Sequence, residues 1–223
     1  MSLSVIVPTL DEAAEIEATL ARARTGDVEL IVADGGSRDE TVAIASRLAD
    51  QVVLGERGRA AQMNRGARVA RGDILLFLHA DTWLPADFPA AMRRAIAGGA
   101  IGGRFDVELR GTHPLLPLIA RLINLRSRWS RIYTGDQAIF VRREAFEQLG
   151  GFPAIPLMED IAFSAALRRL GPTAALHERV STSARRWEKS GVIRTVLRMW
   201  SFRLAFACGV RPEKLARRYA DTR

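Results

Sequence analysis

Two acidic positions in the sequence directly follow apolar runs that are typical of buried strands. Asp34 follows the run LIVA, and a carboxylate there could accept the N–H of a nucleobase while Gly35 and Gly36 allow close approach. Asp81 follows the run ILLFLH, and its oxygens suit Mg²⁺ or Mn²⁺, ions that commonly bridge carboxylates and a diphosphate. The imidazole of His79 is an acceptable second ligand for Mn²⁺. Two plainer explanations stay open: the residues from Asp34 onward form only a turn and a helix start, and Asp81 only caps a helix.

Four further segments carry side chains that could bind anions or move protons. Arg59, in the segment GRAAQMNRG, could form a phosphate site with a helix N-terminus. Glu159 and Asp160 open a predicted helix after a loop rich in glycine and proline, so a carboxylate there could act as a general base. The tripeptide GDQ at 135–137 precedes a strand and has the same potential. The tripeptide Arg185-Arg186-Trp187 could bind phosphate through its guanidinium groups and stack an acceptor on the indole.

Each of these segments also has an explanation that involves no ligand. The segment at 58–66 could be a surface amphipathic helix, and the acids at 136 and 159–160 could only cap their elements. The segment at 185–187 could be a basic surface around a core tryptophan.

The elements that must position these residues alternate between strand and helix over the first 80 residues. The patterns predict strands at 2–9, 28–33, 51–54 and 73–78, with helices at 11–23, 39–48 and 58–70. Alternation of this kind predicts an α/β fold with a mostly parallel sheet and helices on both faces. Because ligands of such sheets bind at the carboxyl ends of the strands, the polar segments after the strands should share one site.

The remainder of the chain is predicted to continue this pattern and to end in helices. Residues 112–133, which contain Pro114 and Pro117, are expected to be less regular. The other predicted elements are a helix at 85–97, strands at 101–109 and 138–141, and helices at 143–149, 159–170, 192–208 and 212–219.

Length and composition favour one domain of ordinary globular character, expected at 1–187, with a helical extension at 188–223. A nucleotide-binding half would end near residue 110. The single cysteine and three histidines exclude a disulfide framework and a cysteine-rich zinc site. No apolar run reaches the roughly 18 residues of a membrane-spanning helix, and the N-terminus lacks signal-peptide features, so a cytoplasmic location is expected.

The net charge of +8 lies entirely in the last 39 residues, which hold 11 basic residues against three acids. The predicted helix at 192–208 mixes arginines with apolar and aromatic residues. It could lie peripherally on an anionic membrane at the cytoplasmic face, which would suit a lipid-linked acceptor, or it could pack on the sheet domain. Aromatic-basic signatures of RNA-binding sheets are absent, so nucleic acid is not expected as a partner.

Several common nucleotide and nucleophile motifs are also absent. The chain has no G-x-G-x-x-G after its first strand, no P-loop and no G-x-S-x-G.

Five ordered segments together resemble the family-2 glycosyltransferases with the GT-A fold, from residue 4 to about 187. IVADGGSRDET matches the D-G-S-x-D-x-T signature with one extra glycine, and the stretch ending in LHADT matches the one that ends in D-x-D. The other three are SVIVPTLDEAAEI, GDQAIFVRREAFEQLGGFPAIPLMEDIAFSAAL and SARRWEKSG. The variants GRAAQMN and HAD resemble a subgroup of small bacterial enzymes.

The resemblance implies a nucleotide-sugar donor, usually linked to uridine diphosphate, an acceptor hydroxyl, inversion at the anomeric carbon and a divalent metal. It implies that Asp160 deprotonates the acceptor and that Asp81, with His79, holds the ion. The remaining implied roles fall into two sets. The donor set is Pro8, Thr9, Glu12, Asp34 at the base, Arg59 and Asn64; the acceptor-side set is Asp136, Gln137, Arg186, Trp187 and Glu159, which is also predicted to be catalytic. Within this second set, Glu159 and Asp136 would orient the base or the acceptor, and Arg186 and Trp187 would close over the donor or the acceptor.

Three departures from the family pattern bear on these expectations. His79 replaces the first acid of D-x-D, and Met63 replaces the usual arginine before Asn64. Ser183 stands where processive synthases have glutamine, so transfer of a single sugar fits better than polymer synthesis.

Two rival functions are less well supported. A nucleotidyltransferase needs a glycine-rich basic loop after the first strand, and the segment TLDE there is acidic. A degenerate enzyme domain that only binds a membrane or an anion is disfavoured by the presence of Asp34, Asp81 and Asp160.

Overall fold

The structure, a computed structural model, describes residues 1–220, except the side chains of Arg186, Lys189, Ser190 and Ala220. Within this range one sheet has the strand order β3-β2-β1-β4-β7-β6-β8-β5. Its strands are β1 Leu3–Thr9, β2 Val28–Asp34, β3 Gln51–Leu54, β4 Ile74–Phe77, β5 Thr82–Trp83, β6 Gly102–Arg110, β7 Ile139–Arg142 and β8 Thr173–Ser183.

Helices cover both faces of this sheet and make up the C-terminal extension. Those before residue 120 are α1 Ala13–Ala23, α2 Thr41–Leu48, α3 Arg59–Val69, α4 Phe88–Ala97 and α5 Leu116–Ser130. The later ones are α6 Arg143–Gln148, α7 Glu159–Leu170, α8 Arg185–Ser190, α9 Val192–Ala207 and α10 Pro212–Ala220.

The first four strands are mutually parallel, as predicted from their alternation with helices. In register, Thr9 at the end of β1 lies beside Asp34 at the end of β2. The antiparallel strand β7 joins β4 to a second part of the sheet, where β6 and β8 run parallel. Alternate residues of β1 enter different cores, since Val5 and Val7 pack in one buried cluster and Ile6 in the other. Burial on both faces explains why these strands are continuous apolar runs.

The structure corrects the expectation that residues 112–133 are less regular. Helix α5 occupies 15 of them. Pro117 is its second residue, where the missing N–H of proline removes no helical hydrogen bond. The helix ends at Arg131, which has left-handed backbone angles (φ 55°).

Besides α5, the elements β5, β8 and α8 were not predicted from the sequence. Helix α1 also starts two residues later than expected. Asp11 has a φ of +54°, and the side chains of Ser37 and Thr41 accept the backbone N–H groups of Asp11 and Glu12. The domain boundary expected at residue 187 stays a prediction. Within residues 1–220, none of the helices has the length and apolar character needed to cross a bilayer.

Candidate active site

The carboxyl ends of β1, β2 and β4 meet at one edge of the sheet, beside a cavity of about 490 Å³. Residues after β1 and β4 line it together with the start of α3 and the start of α7. Six of the residues expected in the donor or metal site line this cavity: Pro8, Thr9, Glu12, Arg59, His79 and Asp81.

A second cavity, of about 190 Å³, adjoins the first. Arg59, His79, Asp81 and Glu159 line both cavities. Among the expected acceptor-side residues, Asp136, Asp160 and Trp187 line only the second one. The structure therefore separates the predicted residues into two neighbouring spaces that share these four side chains, together with Leu157 and Tyr219.

Asp34 lies beneath the first cavity and does not line it. Its side chain is buried, and its carboxylate accepts four hydrogen bonds. The hydroxyls of Thr9 and Ser37 donate to Oδ2 at 2.9 and 2.5 Å, and the backbone N–H groups of Gly36 and Ser37 donate to Oδ1 at 2.8 Å. These bonds fill the roughly four lone-pair positions of a carboxylate. A nucleobase N–H could reach Asp34 only by displacing one of the hydroxyls.

Asn64 and Gln137, expected at the donor and acceptor, line neither cavity, and their amides are bonded within the protein. The Asn64 amide bonds the backbone of Phe152 twice, donating to its carbonyl at 2.8 Å and accepting its N–H at 2.9 Å. Gln137 is fully buried, and its amide donates to the Ser127 hydroxyl at 2.9 Å while Thr134 donates to its oxygen. The Asn64 amide thus joins segments that are 88 residues apart, whereas the Gln137 amide holds the turn at 134–137 against the end of α5.

Asp160 and Asp136 are neighbours at the second cavity. The N–H of Gly135 donates to Asp160 Oδ2 at 2.8 Å, and that of Ile161 donates to Oδ1 at 2.7 Å. These bonds fix the Asp160 carboxylate and leave it further lone pairs toward the cavity. Burial raises the pKa of Asp136, and the negative charge of Asp160 adds to that rise, while a bond from Thr134 opposes it.

Glu159 forms an ion pair between the two cavities with Arg59, whose side chain is 39% exposed. Its Oε1 lies 3.3 Å from Arg59 Nη1, and its side chain is 2% exposed. Burial and the neighbouring charge of Asp160 raise the pKa of Glu159, and Arg59 opposes the rise. Met158, immediately before this pair, has left-handed backbone angles (φ 68°), a strain that is found preferentially at functional sites.

Arg185 lines the second cavity and lies beside two carboxylates that line the first. Its Nη2 lies 2.6 Å from Glu12 Oε2 and 3.7 Å from Asp81 Oδ2. The sequence pointed to the tripeptide at 185–187, but assigned the closing role to Arg186 and Trp187. The side chain of Arg186 lies outside the described part of the structure. Trp187 lines the second cavity and also packs in a buried cluster that includes Ile119.

The C-terminal helices supply walls of the second cavity that the sequence did not predict. Met199, Phe202 and Arg203 come from α9, and Tyr219 comes from α10. Burial lowers the pKa of Arg203, while the charges of Asp160 and Asp136 oppose this. Arg126 lies near the same charges, and its burial, followed by the charge of Arg203, lowers its pKa to about 10. The two carboxylates thus face two partly desolvated guanidinium groups.

Residues 4–150 match the family model described as glycosyl transferase family 2, which is about two thirds of the chain. The chain belongs to glycosyl transferase family 2. The resemblance carried by its motifs is thereby confirmed. Glu159, Asp160 and the C-terminal helices lie beyond the matched segment.

A curated relative of this glycosyltransferase is the PGL/p-HBAD biosynthesis glycosyltransferase of Mycobacterium bovis (strain BCG / Pasteur 1173P2). It is 36% identical over 175 residues, which cover 67% of this chain and 62% of the relative. The chain therefore spans less than two thirds of that relative's length.

Solved structures confirm the GT-A fold of the glycosyltransferase. Glucosyl-3-phosphoglycerate synthase from Mycobacterium tuberculosis, in complex with Mn²⁺, UDP and glucosyl-3-phosphoglycerate, has a TM-score of 0.64 and 22% identity, covering 94% of this chain and 80% of that one. The mannosyltransferase PcManGT from Pyrobaculum calidifontis, in complex with GDP-Man and Mn²⁺, has a TM-score of 0.61 and 26% identity, covering 80% and 56%. TarS of S. aureus in complex with UDP-GlcNAc has a TM-score of 0.64 and 18% identity, covering 83% and 59%.

The first cavity is lined by two side chains that could hold a divalent ion bound together with a diphosphate. Among the described residues, no three ligand-type side chains form a ready-made metal cluster. Asp81 and His79 nevertheless line the same cavity, and an ion such as Mg²⁺ commonly takes one or two carboxylates and completes its shell with phosphate oxygens and water. The His79 ring is held against the backbone at Gly135, where an added Cβ would lie 2.3 Å from Nε2. This donor set fits a metal–nucleotide complex better than a free ion.

Proposed function

We propose that this glycosyltransferase transfers a single sugar from a UDP-linked donor to an acceptor hydroxyl, with inversion at the anomeric carbon and with a divalent metal. The observation that carries the proposal is the pair of adjoining cavities. The larger one lies where the sheet edge offers Thr9, Glu12 and Asp81, and the smaller one contains Asp160. A donor in the first cavity and an acceptor in the second would meet at the side chains that both share.

Asp160 is the proposed general base. The acceptor hydroxyl attacks the anomeric carbon from the face opposite the leaving diphosphate, and its proton passes to Asp160. The bond from the anomeric carbon to the diphosphate oxygen breaks, and its electron pair leaves with the diphosphate. The N–H groups of Gly135 and Ile161 hold the carboxylate in place without occupying all its lone pairs. Asp136 and Glu159 would orient the acceptor and the base.

Positive charge for the leaving diphosphate would come from this chain and from the metal. Arg59 lies between the cavities, and the guanidinium group of Arg185 lies beside the carboxylates of Glu12 and Asp81. In the presence of a donor, Arg185 would exchange one of its carboxylates for a phosphate oxygen. A divalent ion held by Asp81 and His79 would neutralise charge on the same leaving group.

Recognition of the base is proposed to involve Pro8, Thr9 and Arg59, which line the donor cavity. A direct bond from Asp34 to the base stays a prediction, since it requires Thr9 or Ser37 to release the carboxylate. UDP is favoured by the family resemblance and is the nucleotide in two of the three structures compared, while the third contains GDP-Man. A lipid-linked acceptor, one of the alternatives that the sequence leaves open, fits the apolar and basic walls formed by Phe202 and Arg203. The cytoplasmic location also stays a prediction.

The deciding experiment has two stages. Thermal shift with UDP, GDP and their sugars, each with and without Mn²⁺, identifies the nucleotide, because a ligand of the native state raises Tm. NMR of the product of an active donor–acceptor pair then gives the configuration of the new glycosidic bond. An inverted bond is expected, and a retained one would refute the proposed mechanism.

Asp160→Asn tests the assignment of the base. It preserves the shape of the side chain and removes its capacity to take a proton, so kcat should fall by about 10²- to 10⁴-fold. The Tm rise caused by UDP should be unchanged, and Asp27→Asn, on an exposed aspartate, should be fully active. If Asp160→Asn keeps kcat and Asp136→Asn loses it, the base is Asp136 and the assignment is wrong.

A further inference from the structure

Two helices of the structure expose large apolar side chains with the same spacing. On α5 these are Leu118, Leu122, Leu125 and Trp129, which are between 54% and 87% exposed. On α9 they are Ile193, Leu197, Trp200 and Leu204, between 61% and 67% exposed. In both helices successive members are four, three and four residues apart, which places each set in one stripe along one face.

The opposite sides of these helices are packed against the protein. Leu116 and Ile119 of α5 share a buried cluster with Trp187 and with Val192 of α9, and Met199 lies against it. The helices are therefore neighbours, and both stripes face away from the fold. Taking ~200 Å² for a fully exposed large side chain, the stripes expose on the order of 1,000 Å². The largest apolar patch on an ordinary monomer is about 300–600 Å².

The charge of this surface indicates what covers it. Neither α5 nor α9 contains an aspartate or a glutamate, and together they contain six arginines. Arg121 and Arg194 are exposed on these helices, and Arg131 is exposed where α5 ends. A second copy of this chain would bring the same cations face to face with them. An anionic bilayer offers an apolar interior to the stripes and phosphate groups to the arginines.

We propose that α5 and α9 together form a surface that binds an anionic lipid bilayer, with both helices lying in the plane of the interface. The two stripes enter the acyl boundary, and Trp129 and Trp200 lie at the level of the headgroups, where indoles are enriched. The proposal extends beyond the C-terminal helix that the sequence singled out, because α5 contributes half of the surface. It does not depend on the sugar donor or on catalysis.

Vesicle co-sedimentation of the full chain tests the proposal. Phosphatidylcholine vesicles are used with and without phosphatidylglycerol, at low and high salt. Wild-type protein should bind the vesicles that contain phosphatidylglycerol, and salt should weaken that binding. Leu122→Ser/Trp129→Ser on α5 and Leu197→Ser/Trp200→Ser on α9 should each lower the partition coefficient by about tenfold or more.

The matched control is Leu54→Ser, which changes an equally exposed leucine at the end of β3 and should bind like wild type. The thermal melts of all variants should match wild type, since the changed side chains are exposed. No sedimentation of wild type with anionic vesicles, or equal binding to both kinds of vesicle, would overturn the proposal. Wild-type binding by the α5 variant would refute the two-helix surface. A wild-type dimer that the variants dissociate, with no lipid binding, would assign the surface to self-association instead.

Discussion

The carboxylate of Asp34 should contribute more to the stability of the loop that follows β2 than to the binding of any ligand. Asp34→Ala would leave four donors without their acceptor. The hydroxyls of Thr9 and Ser37 can turn to other partners, but the backbone N–H groups of Gly36 and Ser37 cannot. An unsatisfied polar group costs about 1–3 kcal/mol, and since these two are partly buried we take about 1.5 kcal/mol for each. The expected loss in the free energy of unfolding is therefore about 3 kcal/mol, or about 6–12 °C in Tm for a chain of this size.

Thermal and urea unfolding of Asp34→Ala measure this loss, with Asp27→Ala as the control on an exposed aspartate. The donor KM is then measured well below the lowered Tm, so that folding and binding are read separately. If Asp34→Ala keeps the wild-type Tm and only the donor KM rises, the four bonds contribute nothing to the fold. Asp34 would then act solely as a ligand to the base, and the reasoning would be wrong.

Three further predictions concern the same site. Burial alone would raise the pKa of Asp34, but bonds from Ser37, Gly36 and Thr9 outweigh it and hold the pKa below its ordinary value. The stabilisation by the Asp34 carboxylate is complete above its unfolded pKa of about 3.9 and is lost as the pH falls through its folded pKa. The urea midpoints of wild type and Asp34→Ala should therefore converge below about pH 4. A constant gap between the two midpoints would contradict this prediction. Arg185→Ala removes the cation beside Glu12 and Asp81. Because exposed ion pairs are worth up to about 1 kcal/mol, calorimetry should show that Mn²⁺ binds the nucleotide-free variant about three to five times more tightly than wild type. Unchanged affinity would show that Arg185 does not compete with the metal. Gly135→Ala places a Cβ 2.3 Å from His79 Nε2, and the resulting shift of the Gly135 backbone, which donates to Asp160, should lower kcat by about tenfold or more. The control Gly98→Ala, whose Cβ would have no atom nearer than 3.4 Å, should be active. Full activity of Gly135→Ala would refute the packing argument.

The parallel half of the sheet could be predicted because its signals are local. Each of the first four strands is a short apolar run followed by polar residues, and each helix between them has its own periodicity. The same local signals suffice to place Thr9 and Asp81 at one edge of the sheet. Helix α5 was missed because Pro117 reads as a helix breaker in sequence and is harmless at the second helical position. Strand β8 was missed because its residues mix alanine with charged side chains, and only pairing with β6 makes it a strand.

The roles of single polar side chains could not be predicted, since their partners lie far away in sequence. Asn64 bonds a backbone 88 residues later, and Arg185 pairs with Glu12 over 173 residues. Asp34 was correctly placed at the end of its strand. Which groups donate hydrogen bonds to its oxygens depends on the geometry of the chain at the ends of both β1 and β2. Residue type and spacing indicate which side chains are near a site. They do not indicate which of them are already satisfied within the protein.

The two cavities also draw mainly on different parts of the chain. The segment that matches the family model, 4–150, supplies the strand ends and the carboxylate and imidazole of the donor side. Residues beyond it, from α7 to α10, supply Asp160 and most of the walls on the acceptor side. A related chain that kept the first segment, and changed in the second only side chains that line the smaller cavity alone, would keep its donor cavity while presenting a new surface to the molecule that receives the sugar.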